Sequence, residues 1–175
     1  ILDPRPWSEW QEIHTVKLFP EKSYWNSGIY DTVHKLYNKG QITFVSQGHF
    51  LNDKAKQLYR LPYDTPIVYM PNPIDIDYEF DPLHCQKKNH ILFIGRIESV
   101  KRGWLFCEIA KLMPQYEFFM LGQAYREKSE NEAVMANYHD IPNLHFTGHV
   151  EGEEKMKYIR EAKILVNTSI HEALP

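Results

Sequence analysis

The stretch His90-Ile91-Leu92-Phe93-Ile94-Gly95-Arg96-Ile97-Glu98-Ser99-Val100-Lys101-Arg102-Gly103 decides the fold. Ile91 to Ile94 form a continuous apolar run, too short for a core helix and without the alternation of a half-wet strand. It predicts a strand buried on both faces. Gly95 closes the run, and Trp104, Leu105, Ile109 and Leu112 then recur at helical intervals that stop before Pro114. The alternation continues downstream. Glu117 to Leu121 reads as a strand closed by Gly122, Lys128 to Tyr138 as a charged helix, and Leu144 to Thr147 as a strand closed by Gly148. Glu153 to Glu161 is the next helix and Ile164 to Val166 the fourth strand. Short apolar runs alternating with helices predict an α/β fold, a parallel sheet with helices on both faces. The glycines fall at the rim where such sheets bind ligands.

Upstream, Ile29, Val33, Leu36 and Tyr37 carry helical spacing, and Asn38-Lys39-Gly40 ends the helix. Ile42 to Val45 predicts a strand, Leu51 to Tyr59 a helix, and Ile67 to Met70 a strand that Pro71 terminates for want of a ladder donor. The opening residues 1–28 read as irregular, with a short apolar segment from His14 to Phe19. Pro73, Pro82 and the pair Lys87-Lys88 mark a surface connection. The expected division is therefore 1–82, a connection at 83–89, and 90–175.

Composition sets bounds on function. The chain has 175 residues, 43% of them hydrophobic and 25% charged, enough for a core without covalent staples. Twenty basic against 23 acidic residues leave a formal charge of −3, which argues against a nucleic-acid partner while leaving room for a local phosphate site. Two cysteines make neither a disulfide framework nor a multi-cysteine metal site. His14, His34, His49, His84, His139 and His149 are scattered, without metal-ligand spacing. With no signal peptide and no eighteen-residue apolar run, the chain reads as intracellular.

Two segments could carry chemistry. Gly95 is followed by Arg96, then by Lys101 and Arg102 at the expected start of a helix. Cations disfavour a helix start, whose unpaired N–H groups already present positive charge. A bound phosphate or diphosphate resolves the conflict, and a solvated charged loop is the alternative. Neither the dinucleotide fingerprint nor the phosphate-binding loop of nucleotide hydrolases is present. The second segment, Asn167 to Pro175, follows the fourth strand. There Ser169 is a phosphate donor candidate, Glu172 an acceptor for sugar hydroxyls, and His171 an acid, base or donor. The plainer reading, favoured by pattern alone, is a helix start capped by Thr168 or Ser169, with Glu172 completing a capping box.

The order ILFIGRIESVKRG, FFMLGQ, NLHFTGHV and AKILVNTSIHEALP strongly resembles the donor-binding half of family 4 retaining glycosyltransferases of the GT-B fold, the glycosyl transferases group 1. The run ITFVSQ through LYRLPYDTPIVYMPNPID is similar to the end of their acceptor-side domain, so the resemblance covers residues 40–175. It implies a truncated Rossmann-like donor-binding domain at 90–175, preceded by the tail of a second Rossmann-like domain. Arg96 and Lys101 would grip the donor diphosphate, with Arg102 an alternative because the family has Lys-Gly where this chain has Lys101-Arg102-Gly103. Gly95 and Gly122 would line the donor cleft. Val150, with His149 beside it, would meet the nucleotide base through backbone. Ser169 and Glu172 match the Ser-x-x-Glu opening a paired-glutamate motif, with His171 inside it and Ala173 where Gly is usual. That motif's second Glu falls beyond residue 175.

The implied activity is transfer of a sugar from a nucleotide diphosphate sugar to an acceptor hydroxyl on a glycan, lipid or small molecule, with anomeric retention. Polysaccharide assembly is the usual setting. Arg96, Lys101 and Glu172 are the catalytic candidates, no cofactor is tightly held, and metal independence is expected. A cytoplasmic place is implied, with peripheral attachment to the inner membrane face open. The chain is expected to be an internal portion of a protein of about 350 to 400 residues, inactive by itself. A sugar-nucleotide epimerase, a phosphorylase-like enzyme and a non-catalytic assembly module on the same fold remain alternatives.

Overall fold

A computed structural model describes residues 27–74, 81, 85–125, 128–169 and 172. The apolar segment from His14 to Phe19 and His171 lie outside the described residues. Two compact units divide the chain between Asp75 and Ile76, with Glu172 grouped with the first.

In the first unit, α1 (Ser27–Asn38) precedes β1 (Phe44–Ser46), α2 (Leu51–Leu58) and β2 (Ile67–Tyr69). The strands pair in parallel, Phe44 opposite Ile67 and Ser46 opposite Tyr69. Val33, Tyr59 and Leu61 are buried together, with Ile29, Tyr37, Ile42 and Phe44 packed against them. The helical spacing of Ile29, Val33 and Tyr37 thus marks the face of α1 that meets the core. Tyr37 keeps its hydroxyl satisfied, 3.2 Å from Thr65 Oγ1.

The second unit holds β3 (His90–Ile94), α3 (Gly103–Leu112), β4 (Glu117–Leu121), α4 (Lys128–Ala136), β5 (Leu144–Gly148), α5 (Gly152–Glu161) and β6 (Ile164–Leu165). All pairings are parallel and the strand order is β5-β4-β3-β6. Ile91 and Phe93 face one side with Phe118 and Met120, and Leu92 faces the other with Leu121. On the first side α3 presents Phe106, Cys107 and Ala110, spaced as one helical stripe, and α4 adds Met135. On the second side lie Tyr158 of α5 and Ala162. The expected burial of the sheet on both faces is present. Phe106 packs between Phe93 and Phe118, with ring centroids 5.5 and 5.2 Å away. Its truncation to alanine would cost about 3–5 kcal/mol.

One buried amide in this core ties three carbonyls together. Buried Asn143 donates its amide to the carbonyls of Ala110, Met113 and Tyr116 at 3.0–3.2 Å, closing the C-terminal end of α3 and the turn into β4. Residues 85–89, read from sequence as connection, are bonded into the second unit. Cys85 Sγ donates to Arg160 O at 3.1 Å, Lys88 N to Glu161 O at 2.8 Å, and Asn89 O accepts from Glu117 N at 2.9 Å.

The fourth strand is shorter than its apolar run suggests. Val166 still donates to Leu92 O at 2.8 Å, but only Ile164 and Leu165 are in register with β3. Both are exposed, because within this unit β6 is an edge strand.

Candidate functional site

The strand order creates a particular place on this sheet. From β3 the chain runs outward to β4 and β5, then returns past β3 to form β6. The crossovers from β3 to β4 and from β5 to β6 therefore run in opposite directions along the sheet, α3 and α4 covering one face and α5 the other. The loops after β3 and β6 thus leave neighbouring strands at the carboxyl edge of the sheet, which is where open α/β sheets bind ligands. Gly95 to Gly103 make up the first of these loops, and Asn167 to Ser169 open the second.

Three glycines build the rim. Gly95 donates to Leu121 O at 3.0 Å and Gly122 to Gly148 O at 2.7 Å, so the ends of β3, β4 and β5 are tied side by side. Gly122 has φ 148°, and a Cβ there would run into the Gly95 carbonyl oxygen. Only glycine permits that approach. At Gly95 an added Cβ would lie 3.3 Å from the Phe93 ring and 3.9 Å from Lys101 Cδ, so the lysine stem passes over this glycine.

Arg96 is half exposed, with Nη1 3.1 Å from Oε1 of Glu98, whose side chain is only 5% exposed. A buried carboxylate that anchors a rim guanidinium fixes its position, since a buried charge without its partner is costly. Ser99–Lys101 form one turn of 3-10 helix, and Lys101 N donates to Glu98 O at 3.1 Å. Arg102 stands at the N-cap of α3 in the left-handed region, φ 47° and ψ 44°, with no side chain capping the helix. The first turn of α3 contains no acidic residue. Its N-terminal amides and dipole thus lie at the same rim with no acidic residue of the helix's own first turn to offset them.

The loop after β6 is bonded to this one. Arg102 Nε donates to Thr168 O at 2.6 Å, while Thr168 Oγ1 lies 2.7 Å from Lys101 O and 3.1 Å from Arg102 O, donating to both. Thr168 was a cap candidate by sequence; its hydroxyl instead reaches back to the β3 loop. Ser169 is partly buried, its N–H donating to Asn167 Oδ1 at 2.9 Å. Glu172 is partly buried and groups with the first unit. His149 follows β5, exposed, with Nε2 3.5 Å from Glu151 Oε2, and Val150 packs against Leu92, Leu121 and Ala162.

Gly95, Arg96, Lys101, Arg102, Gly122, His149, Val150 and Ser169 therefore share the second unit, on the loops at the carboxyl ends of its strands. Sequence reasoning missed Glu98 as the anchor of Arg96, since a Glu in a charged loop gives no sign of burial. It also missed the reach of Thr168 across 66 residues. Among the described residues no group of three or more His, Cys, Asp or Glu is placed to hold a metal ion. Among them also, no helix is long and apolar enough to cross a membrane.

A search of curated proteins found no match. Solved structures of similar fold include a Staphylococcus aureus TarM mutant in complex with fondaparinux, α-GlcNAc-glycerol and UDP, at 20% identity and TM-score 0.60. That likeness covers 79% of this chain and 27% of TarM. A pneumococcal O-GlcNAc transferase, GtfA, in complex with UDP and GlcNAc is similar at 18% identity and TM-score 0.57, over 89% of this chain and 31% of GtfA. The chain thus spans less than a third of either protein, and these likenesses establish the fold. The family model described as glycosyl transferases group 1 matches residues 76–175, more than half of the chain and all of β3 to β6. With its parallel sheet and switch-point rim inside that match, the chain belongs to the glycosyl transferases group 1, glycosyltransferases of the GT-B fold.

Proposed function

We propose that the protein is a retaining glycosyltransferase, moving a sugar from a nucleotide diphosphate sugar to an acceptor hydroxyl in glycan or polysaccharide assembly. The observation that carries this reading is the pair Arg96 and Lys101 on the β3 loop, at the switch point beside β6, in a chain of this family. In the proposed reaction the bond from the sugar's anomeric carbon to the diphosphate oxygen breaks, and negative charge grows on the departing phosphates. Arg96, held by Glu98, and Lys101, whose stem lies over Gly95, supply fixed positive charge where it develops. Charge that is better matched at the transition state than before it accelerates the step. The amides at the start of α3 add to this field.

The remaining roles belong to the same proposal. Glu172 accepts hydrogen bonds from the sugar hydroxyls and sets its orientation, while Ser169 and its neighbouring amides meet phosphate. The backbone at Gly148 to Val150 meets the base. The acceptor hydroxyl attacks the face from which the diphosphate leaves, giving its proton to a departing phosphate oxygen, and the anomeric configuration is retained. Residues 90–175 provide the donor side, and the part before the connection at 83–89 belongs to the acceptor side.

The test is to incubate the intact protein with UDP-, GDP- and ADP-sugars and follow nucleoside diphosphate release and anomeric configuration by proton NMR. Consumption of donors of one base, with the anomer retained, is the expected result. Arg96→Ala should lower turnover by about 10²–10³. Failure to turn over any nucleotide sugar, or an inverted product, would contradict the proposal.

A further inference from the structure

The two loops at the switch point are joined by a reciprocal bond set whose partners stand 66 residues apart. Arg102 Nε donates to the Thr168 carbonyl at 2.6 Å, and the Thr168 hydroxyl reaches the carbonyls of Lys101 at 2.7 Å and Arg102 at 3.1 Å. Thr168 is 5% exposed, so its hydroxyl has little water to bond in place of these carbonyls. Arg102 sits at φ 47°, a region that strains residues with a Cβ and persists where neighbouring contacts over-determine it. Nothing in the first turn of α3 requires that conformation of an arginine. The bonds to Thr168 hold both its side chain and its carbonyl against the β6 loop.

The consequence falls on Lys101. Its amide is bonded to Glu98 O at 3.1 Å and its carbonyl to Thr168 Oγ1 at 2.7 Å, so the backbone on both sides of its Cα is held. From there its stem runs to within 3.9 Å of the Cβ position of Gly95, beside Arg96. We infer that Thr168 and Arg102 are positioning residues, a latch across the switch point that sets Lys101 for the donor diphosphate. Arg102 serves the site through this bond and not as a phosphate ligand itself. The inference rests on the donor-site reading above and divides labour between two adjacent cations that sequence treats as interchangeable.

The test is a double-mutant cycle in the intact protein, with UDP, GDP and ADP as probes by isothermal titration and unfolding midpoints measured alongside. Thr168→Val removes the hydroxyl at constant shape and should weaken binding about tenfold, whereas Thr168→Ser should stay within about twofold. Arg102→Gly removes the guanidinium but suits the left-handed backbone, so it keeps the fold while opening the latch. In a Lys101→Met background, both Thr168→Val and Arg102→Gly should change affinity by less than about twofold, because their effect runs through Lys101. A purely structural role for Thr168, or direct phosphate binding by Arg102, predicts losses that persist in that background. Persistent losses overturn the inference, as does unchanged affinity in Thr168→Val. If the unaltered protein binds none of the three nucleotides, the donor-site reading fails first and takes this one with it.

Discussion

Gly122 shows how much one residue can conceal in a sequence. A glycine after a strand reads as a cleft-lining position, and the stronger reason for it is backbone crowding against the Gly95 carbonyl, at a φ of 148°. Gly122→Ala should therefore destabilise the second unit by about 3 kcal/mol, from overlap and backbone strain together. Denaturant unfolding checks this, and a change below about 0.5 kcal/mol would show that the rim can relax around a methyl group. Glu98 and Arg102 teach a related lesson. Each reads as loop charge, yet one is buried beneath Arg96 and the other is turned into a left-handed cap by Thr168. Burial and positive φ depend on partners remote in sequence, and no local pattern encodes them.

Elements were far more legible, for a physical reason. Strands buried on both faces must be apolar where they are covered, so Ile91 to Phe93 and Phe118 to Leu121 announce themselves. The stripe of Phe106, Cys107 and Ala110 follows from the period of the helix. Order within the sheet is less visible, since nothing in Ile164-Leu165 states that it returns to the far side of β3. The amino end of this sheet also carries a titration that the strand pattern hides. His90 opens β3 with its Nδ1 buried and without a hydrogen-bond partner, its ring 4.7 Å from Phe119. Burial, then the charge of Lys88 and more weakly His145, hold its pKa below the ordinary 6.5, against smaller opposing effects of Glu161 and Glu117. With the folded value depressed, the unfolded chain takes up this proton first as pH falls. Stability should decline as pH drops through 6.5 toward the lower folded value, where this contribution levels off. Unfolding midpoints at several pH values should therefore show a shallower decline in His90→Phe than in the parent. Parallel profiles would remove His90 from the explanation.

At the scale of the molecule, a parallel sheet, a switch point and two loops bonded across it converge on one rim, within a chain that belongs to the glycosyl transferases group 1. Their convergence is what supports the proposed donor site over a charged surface loop, since Arg96 and Lys101 alone would be equally at home in water. The central claim is that these two side chains bind the diphosphate of a nucleotide sugar. It is tested most directly by titrating UDP, GDP and ADP into the intact protein and into the Arg96→Ala/Lys101→Ala variant, at two salt concentrations. The expected result is binding of one nucleotide that weakens at least about a hundredfold in the variant, at about 1.4 kcal/mol for each tenfold loss, with the parent affinity falling as salt rises. Equal affinities in the two proteins, or no nucleotide binding in the parent, would contradict it.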